Sequence, residues 1–290
     1  MSLTPQSVIQ IENTHLPQTP LFANAVSCET ECTYKVVQSN SHSAFGIRTE
    51  RPMFQIPASN IAAIIFFVFA WGLYSWLAYR SPWAKYTLSH AMDAYRYRWM
   101  RAMLNRDVRI ADTNVASGLQ QGTAFFASAS LLAIGGTVTL LSATEEVTAL
   151  ARNINLPYLA DPLQTEAKTF GLMVILAYAF FKFGWAYRLF NYTTIVMGSI
   201  PDGCNDTNEE ALETSLRAAR LATLAGRHFS NGQQALFFAV GYLGWYAGPL
   251  VFVGTTLMVT LVLLRRQFFS QARKAVLPGP NKQDRVNSGA

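Results

Sequence analysis

Two charged side chains and an asparagine interrupt the apolar run Phe170–Gly198: Lys182, Arg188 and Asn191. Lys182 stands about 18 Å past the start of the run at 1.5 Å of helical rise per residue. An ammonium group at the centre of a bilayer costs at least about 2.5 kcal/mol on insertion scales. Two arrangements make that cost tolerable. The lysine stem lies along apolar surface with its charge at the headgroups, or the charge faces the bundle interior and draws an anion. No Asp or Glu lies within any long apolar run. The partner of Lys182 is therefore a backbone carbonyl, Gln120 or Gln121, a loop carboxylate, or a bound anion. Arg188 and Asn191, nearer the exit and on one face, read as a hydrogen-bonding pair at the membrane surface.

A second cluster follows the first apolar run. Seven of the 23 Lys and Arg residues lie between Arg80 and Arg109. Within Trp83–Arg109, Leu88, Met92, Tyr95, Trp99 and Met103 recur at three- and four-residue steps, which makes one apolar helix face. Arg96, Arg98 and Arg101 lie mostly off that face. A helix of this kind lies in the interface plane, its arginines on anionic lipid phosphates. The sharper alternative is a specific anion or acidic-partner site. His90 and Asp93, one turn apart, and the distant His228 have the residue types of general acid–base chemistry. On an interfacial helix, a lone His beside an Asp reads first as an ordinary hydrogen bond.

Other chemistry is absent by spacing. Cys28 and Cys32 are four apart in a polar tail, and His15 and His42 complete no zinc pattern with them. Three cysteines in all are too few for a disulfide framework. Glu145, Glu146, Asp161 and Glu166 read as a solvated external loop. No metal-ligand spacing and no nucleophile motif occur, so neither a metal nor another cofactor is expected. The basic excess (+6) reads as a membrane surface and not as nucleic-acid binding.

The elements that must position these residues are membrane helices. Half the chain is apolar (51%) and only 14% is charged, against about a quarter in soluble domains. About 20 apolar residues span a bilayer. Four runs qualify: 60–79, 117–141, 170–190 and 235–264. Since a helix satisfies its backbone within one segment, the fold class is all-α: a transmembrane bundle of four helices, residues 60–264, with the basic interfacial helix after the first. Gly118 and Gly122, four apart in the second run, predict close helix packing. Gly244, Gly248 and Pro249 predict a packed kink in the fourth, which at about 45 Å is longer than the core needs.

Residues 1–59 form a polar tail without periodicity, expected to be disordered, as is 265–290. No signal peptide opens the chain, and Met53, just before the first run, is an alternative start. Four spans put the basic loop inside and both termini outside. That leaves six Lys and Arg after Leu264 on the unfavoured side. The other topology has 235–264 re-entering at Pro249, with halves too short to span.

Three pieces, in this order and within the four-span frame, resemble a known family: Arg98-Trp99-Met100-Arg101-Ala102-Met103, Arg188-Leu189-Phe190-Asn191, and Gly232 with Trp245 thirteen residues on, then Gly248-Pro249. The family is domain-of-unknown-function family 599, and the resemblance runs from about Ala58 to Phe269. It implies a multi-pass membrane protein and carries no activity, cofactor or catalytic residue. The extra N-terminal residues depart from the family's usual start and favour Met53.

The functional expectation is a non-enzymatic protein of the bacterial inner membrane. It would act by association with anionic lipid headgroups or a protein partner, including a second copy of itself. The alternative is an oligomeric transporter or channel subunit for a small anion, using Lys182 and Arg188. A lipid-headgroup enzyme using His90, Asp93 or His228 is the third reading.

Overall fold

The computed structural model describes residues 57–155 and 157–276. The polar N-terminal tail, Met53, the Cys28/Cys32 pair and the end of the C-terminal tail lie outside the described residues. Every regular element among the described residues is helical. Helix α1 is Ala58–Tyr79. It ends at Ser81-Pro82, where Ser81 Oγ donates to the Leu77 carbonyl (2.7 Å) and accepts from the Trp83 amide (3.2 Å). A 3-10 turn, Pro82–Tyr86, leads to α2, Leu88–Leu104, capped by Thr87. Then come α3 (Ile110–Ser142), the short α4 (Thr144–Asn153) and a 3-10 turn at Pro157–Leu159. Helix α5 (Pro162–Gly198) starts with the Asp161 side chain accepting from the Leu163 amide and Pro162 in the first turn, which is where proline fits a helix. Helix α6 (Glu209–Tyr242) is capped by Asn208 and opens on two glutamates, matched to the positive end of its dipole. The chain closes with α7 (Gly244–Ala247), α8 (Pro249–Phe268) and α9 (Gln271–Val276).

Four helices are long and apolar enough to cross a membrane: α1, α3, α5 and the one beginning at Pro249. The all-α bundle with four span-length helices is therefore as composition predicts. Their arrangement is not. The run 235–264 is not one kinked helix. Its first part is the end of α6, and Gly248, at φ 134°, reverses the chain. Pro249, in the first turn of α8, has no amide hydrogen to offer a preceding turn. A Cβ at Gly241 would meet Val259 Cγ2 at 3.3 Å, and one at Gly244 would collide with Thr255. So α6 and α8 lie side by side, antiparallel, with glycines at the contact.

Helix α6 itself runs the length of α5. Met197 and Ile200 pack with Ala218, Ala219 and Ala222 at one end. Leu189 and Phe190 meet Ala225, then Ala179 and Phe183 meet Ala235. At the far end Leu172 shares a cluster with Tyr242. Falling numbers on α5 against rising numbers on α6 mean an antiparallel pair, about 50 Å long at 34 residues. The alanine face of α6 lets the two backbones approach closely.

An aromatic core joins α1, α6 and α8. Trp71 stacks on Phe238 (5.2 Å between centroids, 2° between planes) and Trp245 on Phe252 (5.3 Å, 13°). Phe67 lies between them, 5.7 Å from Phe238 and 5.2 Å from Phe252. Such ring pairs contribute about 0.5–1.5 kcal/mol each beyond the area they bury.

The return of α8 decides where the C-terminal segment sits. Gln267 Nε2 donates to Ser89 Oγ (2.7 Å), Arg273 Nε to the Tyr86 carbonyl (2.6 Å), and the Tyr95 hydroxyl to the Val276 carbonyl (3.1 Å). The basic residues Arg265, Arg266, Arg273 and Lys274 thus lie at the same end of the bundle as α2, not at the opposite end. The charge conflict met in the sequence arose from taking 235–264 as one helix, whereas the chain reverses at Gly248.

Candidate functional site

Helix α2 packs against the bundle through a face turned by about one residue from the one its apolar spacing predicts. Met100, Met103 and Leu104 are fully buried among Met197, Ile200 and the alanines of α6. Met92 and Tyr95, on the apolar face that the spacing defines, are exposed. The displaced positions are filled by charge. Asp93, 9% exposed, and Arg96 share the inward face and pair at 2.7 Å. Arg227 of α6 closes the cluster, Nη2 to Asp93 Oδ2 at 3.2 Å. The C-terminal half of α2 thus packs its apolar residues on α5 and α6.

Space for Arg96 is made by Gly226. A Cβ there would stand 2.5 Å from Arg96 Nη2 and 2.7 Å from its Cζ. Burial pulls the Arg96 guanidinium down from its ordinary value, and the Asp93 carboxylate acts against that pull. A guanidinium stays charged in proteins, so one carboxylate faces two cations. Two further polar contacts tie α1 and α8 to α6: Gln234 Nε2 donates to Ser75 Oγ (2.7 Å), and Arg266 Nη2 to Gln233 Oε1 (3.1 Å).

Between α1, the 3-10 turn, α2, α5 and α6 lies a cavity of about 570 Å³. Its walls carry Arg80, His90, Asp93, Arg227, His228 and Gln234. A smaller cavity of about 230 Å³ on the other side of Asp93 is lined by Arg96, Arg227 and Arg266. The fold thus gathers His90, Asp93 and His228 around one space, though no group of three His, Cys, Asp or Glu among the described residues could hold a metal ion. Cations outnumber the single carboxylate in both cavities.

The other singled-out residues are placed differently. Lys182 is half-buried, its Nζ 5.1 Å from the centroid of Tyr178, which lines the larger cavity. Neither glutamine reaches it. Gln120 donates to Asn191 Oδ1 (3.0 Å) and Gln121 to Ser117 Oγ (3.4 Å). Arg188 does not pair with Asn191. It is exposed and donates to the Tyr192 hydroxyl at 2.7 Å, one turn along α5. Arg98 lies 5.3 Å over Tyr95, and Arg101 reaches Asp206 at 3.4 Å on the surface.

Gly118 and Gly122 do not carry the α3–α5 contact, since a Cβ at either meets nothing within 4 Å. The buried stripe of α3 is Ala116, Thr123, Ser130 and Thr137, each seven residues on. The three hydroxyls bond carbonyls of their own helix, Leu119, Phe126 and Ile134, so the stripe buries no unmet donor. Gly244, Gly248 and Pro249 occupy the reversal between α6 and α8. There a Cβ at Gly248 would meet Tyr158 Cε2 at 2.9 Å.

Two buried charges escape a sequence reading. Asp112, 1% exposed, accepts from Trp99 Nε1 (2.7 Å) and from Arg106, pinning α2 to the first turn of α3. Its position in a helix's first turn is the one available signal. Lys168, 2% exposed, donates to the Tyr158 carbonyl (2.7 Å) and lies 5.7 Å over Trp245. It resembles any loop-flanking lysine in sequence.

No curated protein and no solved structure matches the chain. The profile of a family described as "Protein of unknown function, DUF599" matches residues 62–272. With most of its length matched, the bundle that carries this basic cavity belongs to the DUF599 family.

Proposed function

We propose that the chain is a non-enzymatic integral membrane protein of the bacterial inner membrane that acts by association, with anionic lipid headgroups as the partner. One observation carries the reading: the basic segments converge on a single end of the bundle. Arg80, the arginines of α2, Arg265 and Arg266 in the last turn of α8, and Arg273 and Lys274 in α9 all lie there. The opposite end carries Glu145, Glu146, Asp161 and Glu166. In this reading α6 crosses with the four apolar helices, the basic end is cytoplasmic, and the charge bias then has one sign throughout. Lys and Arg near an anionic leaflet contribute about 1 kcal/mol each.

The anion-conduit reading draws support from Lys182, which has no ion pair among the described residues. Against it stands the core: Trp71, Phe238, Phe67 and Phe252 fill the bundle between the larger cavity and the far end. Native mass spectrometry of protein extracted gently from its own membranes separates the readings. A retained anionic lipid is expected. A stoichiometric second polypeptide would give the partner role to a protein, and a bare homo-oligomer would favour transport.

A further inference from the structure

The larger cavity holds more donor capacity than the protein uses. The Arg80 side chain makes no hydrogen bond or ion pair among the described residues, yet it lines the wall. Arg227 is half committed: one terminal nitrogen reaches Asp93, and its side chain is 53% exposed. His228 Nδ1 is buried with no partner, its ring edge-on to Trp185 at 6.4 Å. Asp93, the one carboxylate in the wall, is already shared between Arg96 and Arg227. These donors come from two segments far apart in the chain, the end of α1 and the middle of α6, and converge on one space. A tetrahedral oxyanion offers several acceptor oxygens in different directions. Guanidinium groups match it with charge-assisted, often paired, hydrogen bonds.

The cavity also has an apolar side. Trp76, Tyr178 and Leu224 line it and are 52%, 40% and 45% exposed on the outer surface of the bundle. Gly72 lines it too, and a Cβ there meets nothing within 4 Å. The gap left by that glycine opens the polar space sideways, between α1 and α5, onto surface that faces acyl chains in a bilayer. Lys182, over Tyr178, adds a cation near that opening.

We propose that this cavity is a binding site for a phosphate group, held by Arg80, Arg227 and His228. Asp93 is a positioning residue that keeps Arg96 and Arg227 aimed. The sideways opening makes a lipid headgroup the source of the phosphate, its chain lying past Gly72 and Trp76, and free phosphate the other source of the same chemistry. The inference deepens the association reading and depends on it for an anionic partner.

The test uses the full chain purified in a neutral detergent. Dioleoylphosphatidylglycerol and, separately, inorganic phosphate are added, with native mass spectrometry and thermal unfolding as readouts. The wild type is expected to retain the lipid and to unfold at higher temperature with it. The Arg80→Gln/Arg227→Gln double variant is expected to lose about ten-fold or more in lipid affinity. Gly72→Phe fills open space and leaves every donor in place, so it should lose the lipid yet keep any response to inorganic phosphate. If phosphate alone stabilises the wild type, and the double variant loses that response, the site stands with free phosphate as ligand. Lipid retention equal to wild type in the double variant overturns the cavity site and leaves the association reading intact. A wild type that retains no lipid and responds to neither probe overturns both. Should the double variant not fold, Gly72→Phe decides, and wild-type lipid retention in it overturns the proposal.

Discussion

At one end of the bundle Lys168 is enclosed by Tyr158, Trp245 and the reversal at Gly248; at the other, Asp93, Arg96 and Arg227 stand in the wall of an open cavity. Both ends bury charge, and they meet its cost differently. Lys168 gives a hydrogen bond to a carbonyl and its field to an indole face. That satisfies one cation locally and leaves no room for a ligand. At the basic end, Asp93 is shared by two guanidiniums and Arg80 has no ion-pair partner among the described residues. Residual positive charge there faces water or a bound anion. A charge closed in by protein serves the fold, whereas a charge left over at a cavity is available for binding.

The largest effect should come at the closed end. Gly248→Val places a β-branched side chain at φ 134°, 2.9 Å from the Tyr158 ring. Backbone strain of about 1–3 kcal/mol adds to overpacking of similar size. The expected outcome is loss of most folded protein, read as monodisperse yield in detergent. A well-folded variant would mean that the reversal does not hold the two helices together.

Asp93→Leu comes next. It leaves Arg96 without its carboxylate on a mostly buried face. Removing one partner of a buried pair costs about 3–5 kcal/mol, and the partial exposure of both groups reduces that to about 2–3 kcal/mol. Thermal unfolding measures it, and restoration by the second change Arg96→Met would show that the unpaired cation is the cause.

Lys168→Met should cost about 1–3 kcal/mol through the unmet Tyr158 carbonyl. It should leave the response to anionic lipid unchanged, the sharpest contrast between the two ends. A lost lipid response in Lys168→Met would erase the distinction. The smallest effect is expected for Arg101→Ala, whose pair with Asp206 is on the surface. A change below about 0.5 kcal/mol, fading with salt, fits an exposed pair.

The apolar runs were legible because hydropathy is summed along the chain, and α1, α3 and α5 each face outward over much of their surface. The full length of α6 was not, although it is nearly as long as its neighbour. It carries arginines, glutamines and a histidine beside alanines buried against α5. A helix enclosed by other helices does not have to be apolar toward lipid, so its hydropathy gives no sign of its place. The site was legible only in part. Arg96, His90 and His228 were named, but the apolar spacing of α2 turned its inward face away from Asp93 and Arg96. Arg227 lies 134 residues from Asp93, and no local pattern connects them. Gly226 and Gly72 read as ordinary glycines until the side chain or space beside each is known.

What the sequence alone determined is the helical class, the four apolar span-length helices, and the excess of basic residues near α2 and from the end of α8 onward. These follow from local sums of propensity, transfer free energy and charge. Only the tertiary structure decided that the chain reverses at Gly248, that both basic segments meet at one end, and which cations share a carboxylate. Those outcomes depend on distances between residues far apart in the chain, and the ion pairs and close glycine contacts that fix them act over a few ångströms.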